Sequence, residues 1–236
     1  MNIEKTSREL DSQNFSFVPS EEWALNGSFP EAWEELVGSW DRLEADRYMK
    51  PGDDYRQRRF CKYGIDLADM KLVELADFSF YQLSAVNAYA GGLRREFAPI
   101  EPEIRQNVVL SEIIRTCLDA IQASRQISVR KWQVYVHQIR INCSPSIFGQ
   151  PTPEGLHRDG HDFISMHLMN RVDVDGGTSR ICSNDGQRLM TVTLRNRMDG
   201  FLVNDRALLH GVSRIMPSAS DAGHRDMLII DYNRYE

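Results

Sequence analysis

No run of about 20 apolar residues occurs anywhere in the 236-residue chain, so nothing in it is built to cross a bilayer as a helix. The opening segment, Met1-Asn-Ile-Glu-Lys-Thr6, lacks the apolar centre of a secretion signal. Cysteine is sparse: Cys61, Cys117, Cys143 and Cys182 are scattered and never form Cys-x-x-Cys. That argues against a disulfide framework or a cysteine-built zinc site, and predicts four small buried hydrophobes in a reducing, cytoplasmic setting. Basic residues are also in deficit, 28 Lys and Arg against 34 Asp and Glu for a net charge of −6. A broad cationic face is therefore missing, and nucleic acid is not the expected partner. Internal repeats, low-complexity tracts and flexible linkers are lacking too, which predicts one domain over residues 1–236.

What is present is an ordinary globular balance, 42% hydrophobic and 26% charged, with a change of texture near residue 129. Up to about residue 128 the chain reads as mixed and helical. Ser28-Phe-Pro-Glu31 looks like a capping box opening a helix to about Leu43, whose Trp33, Leu36, Val37, Trp40 and Leu43 fall on one stripe. Those tryptophans read as core. A second helix is predicted from Glu103 to Ala123, with Ile104, Val108, Ile114, Cys117, Leu118 and Ile121 facing inward. From residue 129 onward, short β-rich runs appear near 131–142, 162–172, 178–183, 188–196, 200–204, 207–214 and 226–233. Turn signals such as Asp175-Gly-Gly177, Asn184-Asp-Gly186 and Asp199-Gly200 separate them. The pattern predicts a mainly β fold, a cupin-like jelly roll over 129–236 with a helical support layer before it.

Chemistry concentrates in that second half. His157-Arg-Asp159 supplies an imidazole and a carboxylate on alternate residues, which point the same way when the chain is extended. A second pair, His224-Arg-Asp226, has the same spacing, but no histidine lies downstream of His224, so only the first pair can have a distal histidine further along the chain. His210 closes Leu208-Leu-His210 before Gly211, where a strand carrying it can lie beside the first pair. Two imidazoles and one carboxylate on one face of an ion leave the opposite face open, the facial triad of non-haem Fe(II) oxygenases. Arg225 stands beside the apolar run Met227-Leu-Ile-Ile230, and a planar guanidinium there suits the distal carboxylate of 2-oxoglutarate. A protein-kinase reading of His-Arg-Asp fails, since there is no Gly-rich phosphate loop before it and no Asp-Phe-Gly after it.

From about Val134 to the C-terminus the chain resembles the bacterial 2-oxoglutarate/Fe(II) dioxygenases that hydroxylate free aliphatic amino acids, typified by L-isoleucine 4-hydroxylase. The resemblance rests on His137-Gln-Ile-Arg140, Leu156-His-Arg-Asp159, Met166-His-Leu-Met-Asn170, Gly176-Gly177, Leu209-His210 and His224-Arg-Asp-Met-Leu228. Upstream it extends loosely to Tyr55-Arg-Gln-Arg-Arg-Phe60 and Ala90-Gly-Gly-Leu-Arg94. It implies a double-stranded β-helix, His157, Asp159 and His210 as iron ligands, Arg225 as the 2-oxoglutarate anchor, Fe(II) as the cofactor, and 2-oxoglutarate and O₂ as co-substrates. Many such enzymes carry Ser or Thr two residues beyond the anchor; here Met227 stands there, so a hydroxyl from Tyr135 or Tyr232 is expected to assist. Related halogenases have a small residue at the position of Asp159, so the carboxylate implies hydroxylation, with release of succinate and CO₂.

A free amino acid needs a cation for its carboxylate and an acceptor for its ammonium group. Arg56 and Arg58 share one face of an extended strand and can supply the first, with Arg59 facing away. Asp231, Asp162 and Glu154 are acceptor candidates; Gln138, Arg140 and His167 are further expected pocket residues. Two other readings stay open at this point. One is hydroxylation of a peptide- or carrier-tethered residue. The other is a non-catalytic cupin-like module that senses or stores a metal.

Overall fold

Eleven residues of strand Arg56–Asp66 pair with Lys131–Cys143, so the main sheet draws on both halves of the chain. The computed structural model describes residues 1–23, 25–84, 89, 91–124, 129–218 and 221–235. Its principal strands are β1 (Phe15–Val18), β2 (Arg56–Asp66), β3 (Lys131–Cys143), β4 (Phe163–Val172), β5 (Thr178–Ser183), β6 (Arg188–Thr193), β7 (Gly200–Asn204), β8 (Leu208–Val212) and β9 (Gly223–Arg234). The large antiparallel sheet runs β1-β7-β4-β9-β3-β2, extended at its edge by Glu44–Ala45 and Lys71–Leu75. The smaller sheet runs β6-β5-β8. The two face each other across an apolar cluster that joins Ile164, Met166, Phe201 and Met227 of the large sheet to Ile181 and Leu208 of the small one. This is a jelly roll, as the strand pattern predicts, and the strands past residue 129 begin and end within a few residues of their expected bounds.

Strand alternation assigns each side chain a face. Val134, Val136, Leu228, Ile230 and Tyr232 point away from the small sheet and form the principal core with the helices α1 (Ile3–Gln13), α2 (Pro30–Gly38) and α3 (Val108–Ala123). Their neighbours His137, Ile139, Ile141, Arg225, Met227, Ile229 and Asp231 point inward and line a cavity. The four thiols are all free and buried. Among the described residues no helix is long and apolar enough to cross a membrane.

Two helix boundaries differ from expectation. Ser28 ends a short helix, Leu25–Ser28, and the next begins at Pro30 with no side-chain cap; after Gly38 it tightens into the 3₁₀ turn Ser39–Arg42. The predicted 103–123 helix is two: Pro102–Arg105, then α3, whose N-terminus is capped by Asn107 accepting from Val109 N and Leu110 N. That cap turns Val108 outward, 44% exposed, although its apolarity suggests core.

Candidate active site

His157 and His210 are brought together by the backbone: each accepts the other's N–H at 2.9 Å, an isolated bridge that closes the chain before β4 onto β8. Asp159 follows in a turn that passes through Gly160 at φ +89°, where glycine is favoured. The His157 Nδ1–H donates to the Gly155 carbonyl at 3.0 Å, which fixes the tautomer and leaves Nε2 free as a donor to an ion. That Nε2 lies 3.6 Å from Asp159 Oδ1, and His210 Nε2 lies 3.3 Å from Asp159 Oδ2. All three ligand atoms lie within 4.8 Å of one another. Burial works to raise the Asp159 carboxyl, but the two imidazoles hold it well below the usual carboxylate range.

Beneath the turn sits Asp205, fully buried, which sequence reasoning missed. Its carboxylate accepts the backbone N–H groups of Asp159 (3.1 Å), Gly160 (2.7 Å) and His161 (2.9 Å). No motif marks it; only the folded loop shows that its neighbours' amides converge there. Gln82, also missed, donates from Nε2 to the Asp159 carbonyl at 2.9 Å and reaches Asp159 Oδ1 at 3.3 Å.

Arg225 lines the same cavity, 2% exposed, and its Nε and one terminal nitrogen have no hydrogen-bond partner among the described residues. Burial lowers its guanidinium to about 10, still charged at neutral pH. Gly177, at φ +66°, packs against it: a Cβ there would lie 3.2 Å from Arg225 Cδ. An unpaired buried cation is costly, and this one faces a cavity large enough for an anion. Neither expected hydroxyl reaches it. Tyr232 points the other way, its OH 3.4 Å from the Ile114 carbonyl, and Tyr135, which does not line the cavity, donates to Gln133. Among the described residues, the hydroxyls that line the cavity are Ser179 and Thr152, and Thr152 is occupied by both backbone groups of Val212.

Arg225 and Asp231 face the cavity from positions six residues apart on β9, roughly 20 Å by strand rise. Beside Asp231 the cavity is polar. Arg56 is neutralised by the fully buried carboxylate of Asp46 at 2.7 Å. Arg58 donates to His137 Nδ1 at 2.7 Å, so His137 carries its proton on Nε2 and donates it to Asp231 at 2.9 Å. Burial, with Arg58 adding, holds His137 well below its ordinary value; burial also pushes Asp231 up to about 7, against the pull of His161 at 3.2 Å. Arg56 and Arg58 thus face inward together, while Arg59 turns out to the carbonyls of Arg42 and Pro99. Glu154 lines the cavity as well, its Oε1 3.3 Å from His157 Nε2.

Three expected pocket residues lie elsewhere, all through strand parity. Gln138 and Arg140 alternate with the cavity-facing His137, Ile139 and Ile141, so they point to the helical side. There Gln138 donates to Ser39 Oγ at 2.6 Å and Arg140 forks onto Asp226 at 2.7 and 2.8 Å. His167 alternates with the cavity residue Met166 and sits in the core, edge-on to Trp23 with ring centroids 5.3 Å apart. Asp162 is spent outside the cavity on Arg206 and Arg234.

Comparison with known proteins agrees with this geometry. The chain is 23% identical to 3(1)-hydroxy-L-isoleucine 4-dioxygenase of Pantoea ananatis, covering 96% of this chain and 94% of the relative. It is 22% identical to L-isoleucine-4-hydroxylase of Bacillus thuringiensis, over 99% and 96% of the two chains. Among solved structures, a bsmA homolog from Methylobium petroleophilum superposes with a TM-score of 0.88 at 26% identity, covering 99% of this chain and 94% of that one. IDO from Bacillus thuringiensis superposes at 0.81 and 18% identity, over 100% and 96%. Residues 38–231 match the 2OG-Fe dioxygenase family. The chain therefore belongs to the 2OG-Fe dioxygenases, enzymes that use non-haem Fe(II), 2-oxoglutarate and O₂.

Proposed function

We propose that this dioxygenase hydroxylates an unactivated C–H bond of a free aliphatic L-amino acid, with His157, Asp159 and His210 holding the iron and Arg225 the distal carboxylate of 2-oxoglutarate. The residues suit both groups: two imidazoles and a carboxylate converge with their ligand atoms within 4.8 Å, and a buried guanidinium in the same cavity has two nitrogens without a hydrogen-bond partner among the described residues. Bound together, iron, 2-oxoglutarate and O₂ supply the oxidising chemistry, with succinate and CO₂ as co-products.

The chain's own side chains do the rest. Gly155 and Asp205 fix the orientation of the ligand residues. Met166, Leu194, Phe201, Met227 and Ile229 give the cavity an apolar wall that excludes water and accommodates an aliphatic side chain. The observation that carries the amino-acid reading is the pairing, in one cavity with the triad, of a buried cation, Arg58, with two acceptors, Asp231 and Glu154. Those are the groups that a carboxylate and an ammonium need. The names of both curated relatives, one giving 3(1)-hydroxy-L-isoleucine and the other L-isoleucine, support an aliphatic substrate. Arg225 also favours an enzyme over a metal-storage module, since storage needs no buried guanidinium.

The test is an aerobic screen of the free L-amino acids with Fe(II), ascorbate and 2-oxoglutarate, following succinate and a mass gain of one oxygen. Substrate-dependent succinate with an aliphatic amino acid is the expected result. Succinate formation with none of them, but with a peptide or a carrier-tethered residue, would overturn the free-substrate reading.

A further inference from the structure

Once Arg225 and the neutralised Arg56 are set aside, two buried cations in the cavity remain without an ion pair among the described residues. Arg58 and Arg95 are 7% and 2% exposed, and each has an Nε with no hydrogen-bond partner among the described residues. They lie against the same two rings: the Arg58 guanidinium carbon is 4.1 Å from the centre of Phe97 and 5.4 Å from that of Phe80, and the Arg95 carbon is 5.0 Å from Phe80 and 5.6 Å from Phe97. Two like charges buried side by side repel, and aromatic faces offset only part of that cost. Both are nevertheless fixed in place. Asp231 orients His137, which accepts from Arg58 at 2.7 Å; Gln82 accepts from Arg95 at 2.6 Å while its own amide donates to the Asp159 carbonyl.

We propose that Arg58 and Arg95 form a two-guanidinium clamp for the substrate's carboxylate, with His137 and Gln82 as the positioning residues that aim them. The proposal rests on the amino-acid reading above and assigns Arg95 and Gln82 a part in it. Gln82 touches both Arg95 and the backbone of Asp159, so the clamp is registered directly against the metal triad. The carboxylate is thereby held at a fixed distance from the reacting centre. Such registration makes one carbon of the side chain, rather than any exposed C–H, the one presented for oxidation.

The test is a calorimetric titration of the protein loaded with 2-oxoglutarate and Zn(II), with no turnover. The ligands are L-isoleucine, or whichever free amino acid the screen selects, and the carboxamide of that amino acid. The native protein is expected to bind the acid in clear preference to the amide. Arg95→Gln and Arg58→Gln should each weaken the acid by about 10²-fold and the amide little, collapsing the preference. Because the ratio is taken within one variant, general damage to the site cancels. Should Arg95→Gln fail to fold, Arg95→Lys serves: it keeps the charge, loses the forked donor, and should give an intermediate preference. Gln82→Leu should lower the acid preference as well, with both guanidiniums retained. An acid-to-amide ratio unchanged in all four variants would overturn the clamp and leave the amino-acid reading standing. A native protein that binds neither acid nor amide, while Zn(II) and 2-oxoglutarate still bind, would remove both.

Discussion

The carboxylate of Asp205 accepts the backbone N–H of Asp159 at 3.1 Å and so fastens the turn carrying one candidate ligand to the turn that leads into β8, the strand carrying another, His210. With the amides of Gly160 and His161 it takes up three converging backbone donors, that of His161 buried, and its Oδ1 lies 3.8 Å from His210 Nδ1. Asp205→Ala is therefore expected to lower stability by about 3 kcal/mol or more. It should also weaken iron binding roughly 10–100-fold, because the ligands lose their support. Thermal unfolding and an anaerobic Fe(II) titration check both. Native-like metal affinity in the variant would mean that the turn holds its shape without this carboxylate.

On the proposed reading, Arg225 is a cation buried for a ligand rather than for the fold. Replacing it with methionine should remove 2-oxoglutarate binding, seen as the loss of calorimetric heat on titration of the metal-loaded protein. The same change should raise the stability of the ligand-free protein, by about 1–3 kcal/mol, because an uncompensated buried charge beside Arg171 disappears. A variant that both binds 2-oxoglutarate and melts as the native protein does would show that Arg225 has neither role.

Adjacent residues on β3 should give opposite phenotypes. Ile139 faces the cavity, and Ile139→Ala is expected to change discrimination among aliphatic substrates by about 1–3 kcal/mol at little cost to folding. Gln138 faces the helices, where Gln138→Ala leaves the buried Ser39 Oγ without its 2.6 Å donor. That variant should lose about 1–3 kcal/mol of stability while its KM values stay within twofold. Apparent KM for several amino acids, together with denaturant unfolding, separates the two. A reversal of the two patterns would mean the strand register is wrong.

Much of this site is legible from the residues because its ligands lie close to strand ends with recognisable turns. His157, Asp159 and Gly160 share one turn, and His210 ends a short apolar run before a glycine. Arg56 and Arg58 could be aligned because alternation within one strand needs no knowledge of its neighbours. Gln138, Arg140 and His167 failed for a related reason. Alternation says that residues 138 and 140 share a face but not which face, and a strand covered on both sides offers no polar side to decide it. Arg95 stands in a strand of three residues, Arg94–Glu96, too short to show a period. Asp205 and Gln82 act through backbone groups distant in sequence, Asp159 in both cases, and such contacts leave no pattern in composition or spacing.

His167 illustrates the cost of a titratable group placed in the core. It is 1% exposed, edge-on to Trp23 and 3.9 Å from Cys117 Sγ, with no carboxylate against it among the described residues. Burial pushes its pKa down to about 3. In the unfolded chain the imidazole takes up a proton near pH 6.5. Between those values the unfolded state binds more protons, so stability falls as the pH is lowered through 6.5 and continues to fall toward 3, at roughly 1.4 kcal/mol per pH unit. His167→Phe keeps the ring and removes the proton site. The variant is expected to lose that share of the slope, so that its unfolding free energy, set against the native protein's, improves steadily from pH 6.5 to 4.5. Urea unfolding at several pH values in that range measures the difference, and parallel curves for the two proteins would mean that His167 is protonated in the folded state or reached by water.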